Sequence, residues 1–169
     1  EITELSGNAY FSSAVGEVHV VEAIKKHQAI IGGEGNGGII YPELHYGRDA
    51  LVGIALFLSH LAHFGKSVSM LRATYPNYFI SKNKIELTPE IDVDAILSKI
   101  REKYSKQPVS TIDGVKIEFD KTWVHLRKSN TEPIIRIYSE AENSAVANSL
   151  ANKIIMDIKE LTSEMILGM

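Results

Sequence analysis

The apolar residues of this chain keep one rhythm up to about residue 74 and another beyond it, so no single sheet-and-helix pattern accommodates both. In the first part they recur at helical spacing or run together. Residues 17–26, EVHVVEAIKK, set Val18, Val21 and Ile24 (or Ala23) on one helix face. Arg48 to Phe64 reads as a largely apolar helix. Asp49 falls in its first turn, where a carboxylate suits the positive helix end, and Gly65 is its stop. Between these helices AII (29–31) is expected as a short buried strand entering a glycine loop, with GIIY (38–41) extended beyond it. Residues 66–78 join this half to the next.

In the second part short alternating segments take over. YFIS and KIEL are extended, and Thr88-Pro89 predicts a helix start, because Thr can cap and Pro fits the first helical position. Ile91, Ile96, Ile100 and Tyr104 then form the buried stripe of a helix ending near Lys106. Short strands are expected at PVSTI, VKIEF and TWVHL, with Asp113-Gly114 as the hairpin turn between the first two. A loop, RKSNTEP, leads to a strand, IIRIYS, and a last helix runs from about Ser144 to Leu161. The boundary falls near residue 74. An α+β domain follows over 75–169, of β-α-β-β-β-α order, with helices on one face of an antiparallel sheet.

Composition narrows the function classes. The 169 residues can bury a real core, and the net charge of −3 provides no overall field toward nucleic acid or an anionic membrane. An anionic ligand would have to be held by a local basic cluster. The strand text VKIEFDKTWVHL lacks the basic residues that a nucleic-acid-binding sheet face needs. No cysteine is present, which excludes disulfides, thiolate nucleophiles and zinc–thiolate sites. No run approaches the roughly 18 apolar residues of a membrane span, and the N-terminus lacks the pattern of a signal peptide. No membrane partner is expected, and the location expected is cytoplasmic. The chain begins at Glu1 rather than Met, so it is expected to be a processed or excised piece. His60 and His63, at i and i+3, have no carboxylate at helical spacing on their face, so no metal site is expected there.

Two loops carry candidate chemistry. In GGEGNGG (32–38), Gly33, Gly35 and Gly38 fit G-x-G-x-x-G literally, but no helix start follows to receive a pyrophosphate, and Glu34 would repel it. G-K-[ST] is also missing. A plain hairpin turning at Asn36-Gly37 stays open. So does a ligand loop, in which glycines bring backbone amides close to the ligand while Glu34 and Asn36 bond to vicinal hydroxyls. The second loop, RKSNTEPIIR (127–136), gathers Arg127, Lys128 and Arg136 around Ser129, Asn130 and Thr131. A forked guanidinium with hydroxyls and loop amides suits a phosphate dianion, and a solvated polar turn is the bland alternative.

Together, GGEGNGG with GRDALVGIALFLSHLA behind it, and RKSNTEPIIRIYSEAE near the end, resemble the α-D-phosphohexomutase family, enzymes of the phosphoglucomutase and phosphomannomutase type. The resemblance runs across nearly the whole chain and implies an α/β partial domain with a mixed sheet over residues 1–74, the latter part of the family's third domain, followed by its fourth over 75–169. It implies that Glu34, Gly35 and Asn36, with Gly33 and Gly37, match the sugar-recognition loop, reading a hydroxyl pair such as O3 and O4. Glu17, in SAVGEVHVV, is the further substrate contact, ahead of His19. Arg127, Ser129, Asn130, Thr131 and Pro133, with Arg136 beyond, match the phosphate-binding loop.

The family's phosphoserine nucleophile and its D-x-D-x-D-R metal loop have no match here, and Asp92 and Asp94 fall inside an expected helix. No catalytic residue and no metal ligand is therefore expected in this chain. Mg2+ is implied for the full-length enzyme, with ligands outside these residues. The function implied is part of an enzyme that interconverts hexose 1-phosphate and hexose 6-phosphate through a bisphosphate, the chain alone being inactive. The partners implied are a hexose phosphate and the remaining N-terminal domains of the same enzyme. An incomplete first half is also expected to expose an apolar face and to pair as a homodimer. The rival reading is a non-catalytic sugar-phosphate-binding module or sensor.

Overall fold

In the first half helices are set by their end signals, and the hairpin between them is set by glycine. The computed structural model describes residues 2–88, 91–129 and 132–167. Contacts divide the chain into two units, Glu1–Tyr75 and Pro76–Met169. The first opens with a short helix, α1 (Ile2–Leu5), followed by α2 (Glu17–His27), which ends at Gln28 in the left-handed region, φ 52°. Val20 and Ile24, four residues apart on α2, bury with Ile40 as a small cluster.

Strands β1 (Gly32–Gly33) and β2 (Ile39–Ile40) pair antiparallel, Gly32 opposite Ile40. A β-carbon on Gly32 would stand 2.5 Å from Ile24 Cδ1, so the hairpin seats on α2 only because that residue lacks a side chain. Among the described residues this antiparallel pair is the whole sheet of the unit, smaller than the mixed sheet expected of it. The strand expected at 29–31 is also displaced: Ile30 is 75% and Ile31 50% exposed, and pairing begins one residue later.

Helix α3 (Ala50–Phe64) starts one residue after Asp49, which is its cap and not part of its first turn. Asp49 Oδ1 accepts from Leu51 and Val52 amides at 2.8 and 3.0 Å, and Gly65 ends the helix at φ 69°. The helix touches β2 through Gly53, where a β-carbon would lie 3.1 Å from Ile39. None of its residues is buried, although nearly all are apolar. The joining segment 66–78 contains α4 (Val68–Arg72), capped by Ser67.

The second unit is a five-stranded antiparallel sheet with two helices on one face. Its strands are β3 (Phe79–Glu86), β4 (Val109–Ser110), β5 (Val115–Phe119), β6 (Thr122–Lys128) and β7 (Ile134–Ala141), in spatial order β3-β7-β6-β5-β4. YFIS and KIEL thus merge into one edge strand, β3. With α5 (Val93–Lys103) and α6 (Ser144–Leu167) the chain order is β-α-β-β-β-β-α. The strand expected at PVSTI is present as two-residue β4 on the far edge, so all four segments expected after α5 are strands and the order β-α-β-β-β-α is one strand short.

Alternation decides the faces. Val115, Ile117, Val124, Leu126, Ile135 and Ile137 point to α5 and α6, meeting Ile96, Ile100, Ile154 and Ile158 in one buried cluster. Burying such a side chain is worth about 1.5–3 kcal/mol. Helix α5 begins at Val93, where Asp92 accepts from Asp94 and Ala95 amides at 2.9 and 3.3 Å, and not at Thr88-Pro89. Pro89 lies outside the described residues. Ile91 is buried ahead of the helix, and Tyr104 is the residue that closes it. Helix α6 runs six residues past the expected end. Among the described residues no helix is long and apolar enough to cross a membrane.

Candidate functional site

The glycine loop of the first unit folds as a hairpin turn. Glu34 N–H donates to Gly38 O at 2.9 Å, and Gly37 N–H to Glu34 O at 3.0 Å, so Gly35 and Asn36 form its corner. The turn expected at Asn36-Gly37 is shifted back by one residue. Most of the glycines have reasons inside the fold. Gly37 sits at φ 95°, and a β-carbon on Gly33 would come within 2.5 Å of the Gly38 carbonyl. Gly35 differs, having open space around it and neither constraint. Asn36 Oδ1 accepts from Gly38 N–H at 2.9 Å, which commits its oxygen to the loop and leaves its amide hydrogens as the donors it can offer.

Three candidate side chains meet around this turn. Glu34 Oε1 accepts from Gly16 N–H at 3.2 Å, and Gly16, at φ 125°, holds a backbone angle that few other residues adopt. The next residue, Glu17, pairs through Oε2 with Arg48 Nε at 2.7 Å. The Arg48 stem in turn lies over Gly38, whose β-carbon would be 2.8 Å from Arg48 Cδ. Glu17, Glu34 and Asn36 are thus linked through Gly16, Arg48 and Gly38, with Gly35 at the tip. The partner of Arg48 is 31 residues away, and nothing local signals that pairing. His45 Nε2 lies 3.1 Å from Asp49 Oδ2. The Val52 amide, and after it His45, hold the Asp49 carboxyl below its ordinary value of 3.8. His19 turns along its own helix toward Glu22, 3.6 Å away.

In the second unit Arg127 on β6 and Arg136 on β7 are direct cross-strand partners. Alternation puts both on the sheet face away from the helices, beside the His125–Tyr138 and Trp123–Glu140 pairs. Arg127 Nε stands 3.1 and 3.0 Å from the two oxygens of Asp113. Lys128, one residue on, leaves that face. Its Nζ lies 2.6 Å from Asp94 Oδ2, which holds the ammonium above its ordinary pKa, so Lys128 does not join the arginines as expected. Ser129 is buried, and its N–H donates to Ile134 O at 3.0 Å, closing the base of the loop. Asn130 and Thr131 lie outside the described residues. Asp113 is the addition here. The sequence marks it only as a turn residue, and the turn is a four-residue loop, 111–114, rather than a tight hairpin.

Trp123 and Tyr138 occupy the open sheet face, where Trp123 Nε1–H donates to Glu140 at 2.9 Å. His60 bonds to the Tyr75 hydroxyl at 2.9 Å, and the ring of His63 bonds to the Ser59 carbonyl at 2.7 Å. Among the described residues no three His, Asp or Glu side chains gather as a metal would require.

Comparison with known proteins adds an independent line. The family model for phosphoglucomutase/phosphomannomutase, alpha/beta/alpha domain III, matches residues 1–78, and that for the C-terminal domain matches residues 84–156. The chain is 42% identical over 142 residues to the phosphoglucosamine/phosphogalactosamine mutase of Sulfurisphaera tokodaii, covering 83% of this chain and 31% of that protein. It is 38% identical over 149 residues to the phosphoglucomutase/phosphomannomutase of Thermococcus kodakarensis, covering 87% and 32%. A solved phosphoglucomutase/phosphomannomutase family protein from Burkholderia thailandensis superposes with TM-score 0.73 at 23% identity, over 93% of this chain and 34% of the other. The chain spans about a third of the length of the curated relatives it matches.

Proposed function

Since the chain belongs to the phosphoglucomutase/phosphomannomutase family and corresponds to its C-terminal portion, we propose that it forms the substrate-recognition part of a phosphohexomutase. The whole enzyme would interconvert hexose 1-phosphate and hexose 6-phosphate through a bisphosphate. This chain would bind the sugar hydroxyls with the Glu34 loop and the non-reacting phosphate with the Arg127 loop. The observation that carries the reading is the in-register pairing of Arg127 with Arg136 on the uncovered sheet face. Two like charges held side by side repel, and an anion that accepts from both converts that cost into attraction.

Each group has a defined task. Arg127 and Arg136 would hold the idle phosphate, with Ser129, Asn130 and Thr131 completing the set. Glu34, braced by the Gly16 amide, would accept from two neighbouring hydroxyls, with Asn36 donating beside it. Binding energy gathered at these remote groups would position the reacting phosphate. The phosphoserine and the Mg2+ would reside in the remaining domains of the enzyme, and the chain alone would be inactive. Those domains, rather than a second copy, are read as the cover of the apolar α3 face, in keeping with the third of its relatives that the chain spans.

Calorimetry on the complete enzyme tests this. Arg127→Ala should weaken glucose 1-phosphate and glucose 6-phosphate alike, and Arg127→Lys, which keeps the charge but loses the fork, should fall between. Glu34→Gln should cost both isomers about 1–3 kcal/mol. Loss for a single isomer after Arg127→Ala, or equal loss for unphosphorylated glucose, would overturn the phosphate assignment.

A further inference from the structure

We propose that Asp113 is a positioning residue for Arg127, setting the guanidinium in the orientation in which it takes a phosphate; this rests on the assignment of Arg127 to phosphate made above. The carboxylate meets Arg127 through Nε, at 3.1 and 3.0 Å. Occupying that side fixes the roll of the guanidinium plane and directs its other edge, Nη1 with Nη2, toward the ligand. A fork held in this way binds with less loss of freedom than one that must first be ordered. The pair is not a loose surface contact, for the side chains of Arg127 and Asp113 are 30% and 23% exposed.

The position of Asp113 is itself fixed by backbone. Gly114, at φ 69°, presses against β6 so closely that a β-carbon there would lie 2.2 Å from the Leu126 carbonyl oxygen. The His125 ring bonds to the Asp113 carbonyl from the same face. The loop 111–114 is thus pinned to the strand one residue before Arg127 and again two residues before it. Arg136 stands on the other side of Arg127. Repulsion from Arg136 would turn Arg127 outward, and Asp113 supplies the opposing pull.

Two effects of Asp113 on a bound anion have opposite signs. Its negative charge repels phosphate, and its grip on Nε orders the cation that phosphate needs. The positioning proposal requires that the second effect wins, and this makes it testable. The 169-residue chain, labelled with 15N, is titrated with glucose 1-phosphate and followed by NMR, including the Arg127 Nε–H resonance. Asp113→Ala should weaken binding about tenfold, the scale of one charge-assisted hydrogen bond. The Arg127 Nε–H signal should broaden or exchange faster while the amides of β6 stay in place. Asp113→Asn retains an oxygen that can accept from Nε and should lose less. In an Arg127→Ala background neither change should alter binding further.

If Arg127→Ala leaves binding intact, or the unaltered chain shows no saturable shift, the phosphate assignment fails and this proposal with it. If Arg127→Ala abolishes binding while Asp113→Ala leaves it unchanged or tighter, the positioning role alone is wrong. Should Asp113→Ala displace the β6 amides, the Asp113→Asn arm decides: a broadened Nε–H resonance with unchanged or tighter binding, order lost without cost to affinity, overturns the proposal.

Discussion

Among the described residues the first unit gathers Val20, Ile24 and Ile40 into its buried cluster, whereas the second brings fifteen buried residues into one. The contrast is not one of composition. Helix α3, ALVGIALFLSHLAHF, is far more apolar than α5, VDAILSKIREK, yet α3 buries nothing and α5 buries Val93, Ile96, Leu97 and Ile100. An apolar run records how much surface a segment can bury. The neighbouring sheet determines how much of it is buried. Two paired strands of two residues cannot cover a fifteen-residue helix, while a five-stranded sheet covers two helices.

Core truncation should separate the units most sharply. Ile137→Ala, in the centre of the sheet, should cost the second unit about 2–5 kcal/mol, because it opens a cavity. Leu58→Ala on the outer surface of α3 should change stability by less than about 0.5 kcal/mol. Urea denaturation of each variant measures both, and similar losses would dissolve the contrast.

Hydrogen exchange should then order the elements within a single sample. Amides of β5, β6 and β7 should be protected to near the global limit, and those of α3 should exchange through far cheaper openings. A dye that fluoresces on apolar surface should bind the chain, and Leu51→Glu with Leu58→Glu should reduce that signal. Uniform protection across both units would show α3 to be better covered than its exposure implies.

A smaller effect belongs to the second unit alone. Burial, then the hydrogen bond to Asp157 at 2.6 Å, raises the Tyr104 pKa above its ordinary 10.0. The folded form therefore keeps its proton more tightly than the unfolded chain. That contribution is complete below pH 10.0 and is lost as pH rises beyond it toward the folded value. Tyr104→Phe should cost about 1 kcal/mol at neutral pH and flatten the alkaline fall in the urea midpoint. The smallest change is expected at Asp49. Its lowered pKa means the cap stabilises α3 above the ordinary value of 3.8 and fails as pH falls through the folded one. Asp49→Asn, which still caps, should remove that acid dependence, with α3 helicity as the readout.

Features set by near neighbours were legible in the order of the residues. Helix α2 followed from the spacing of its apolar residues, the stop of α3 from Gly65, and the faces of β5, β6 and β7 from alternation. Alternation could also have excluded Lys128 from the arginine pair, since adjacent residues of a strand point opposite ways. The α5 start was ambiguous because Thr88-Pro89 and Asp92 both carry capping chemistry, and the buried stripe suits either. Contacts across the chain left no local mark. Glu17 meets Arg48, and Gly114 meets Leu126, only after the elements between them have folded. The D-G pair shows the cost of reading locally. It signals a turn and gives no sign that the aspartate will face an arginine from another strand.

The two edges of the larger sheet differ in a way that bears on the fate of concentrated protein. Among the described residues no strand pairs with the outer side of eight-residue β3, where alternate residues offer the ladder groups that could template another chain. The strand also carries Lys82, Lys84 and Glu86 on one face, Lys84 paired with Glu86 at 2.9 Å, and a copy added parallel and in register would bring the Lys82 ammonium groups together. The opposite edge, β4, is two residues long and has too little ladder to recruit a partner. Growth of the sheet into a fibre is therefore opposed by charge at one edge and by brevity at the other, and replacing both lysines with threonine would remove the first of these barriers.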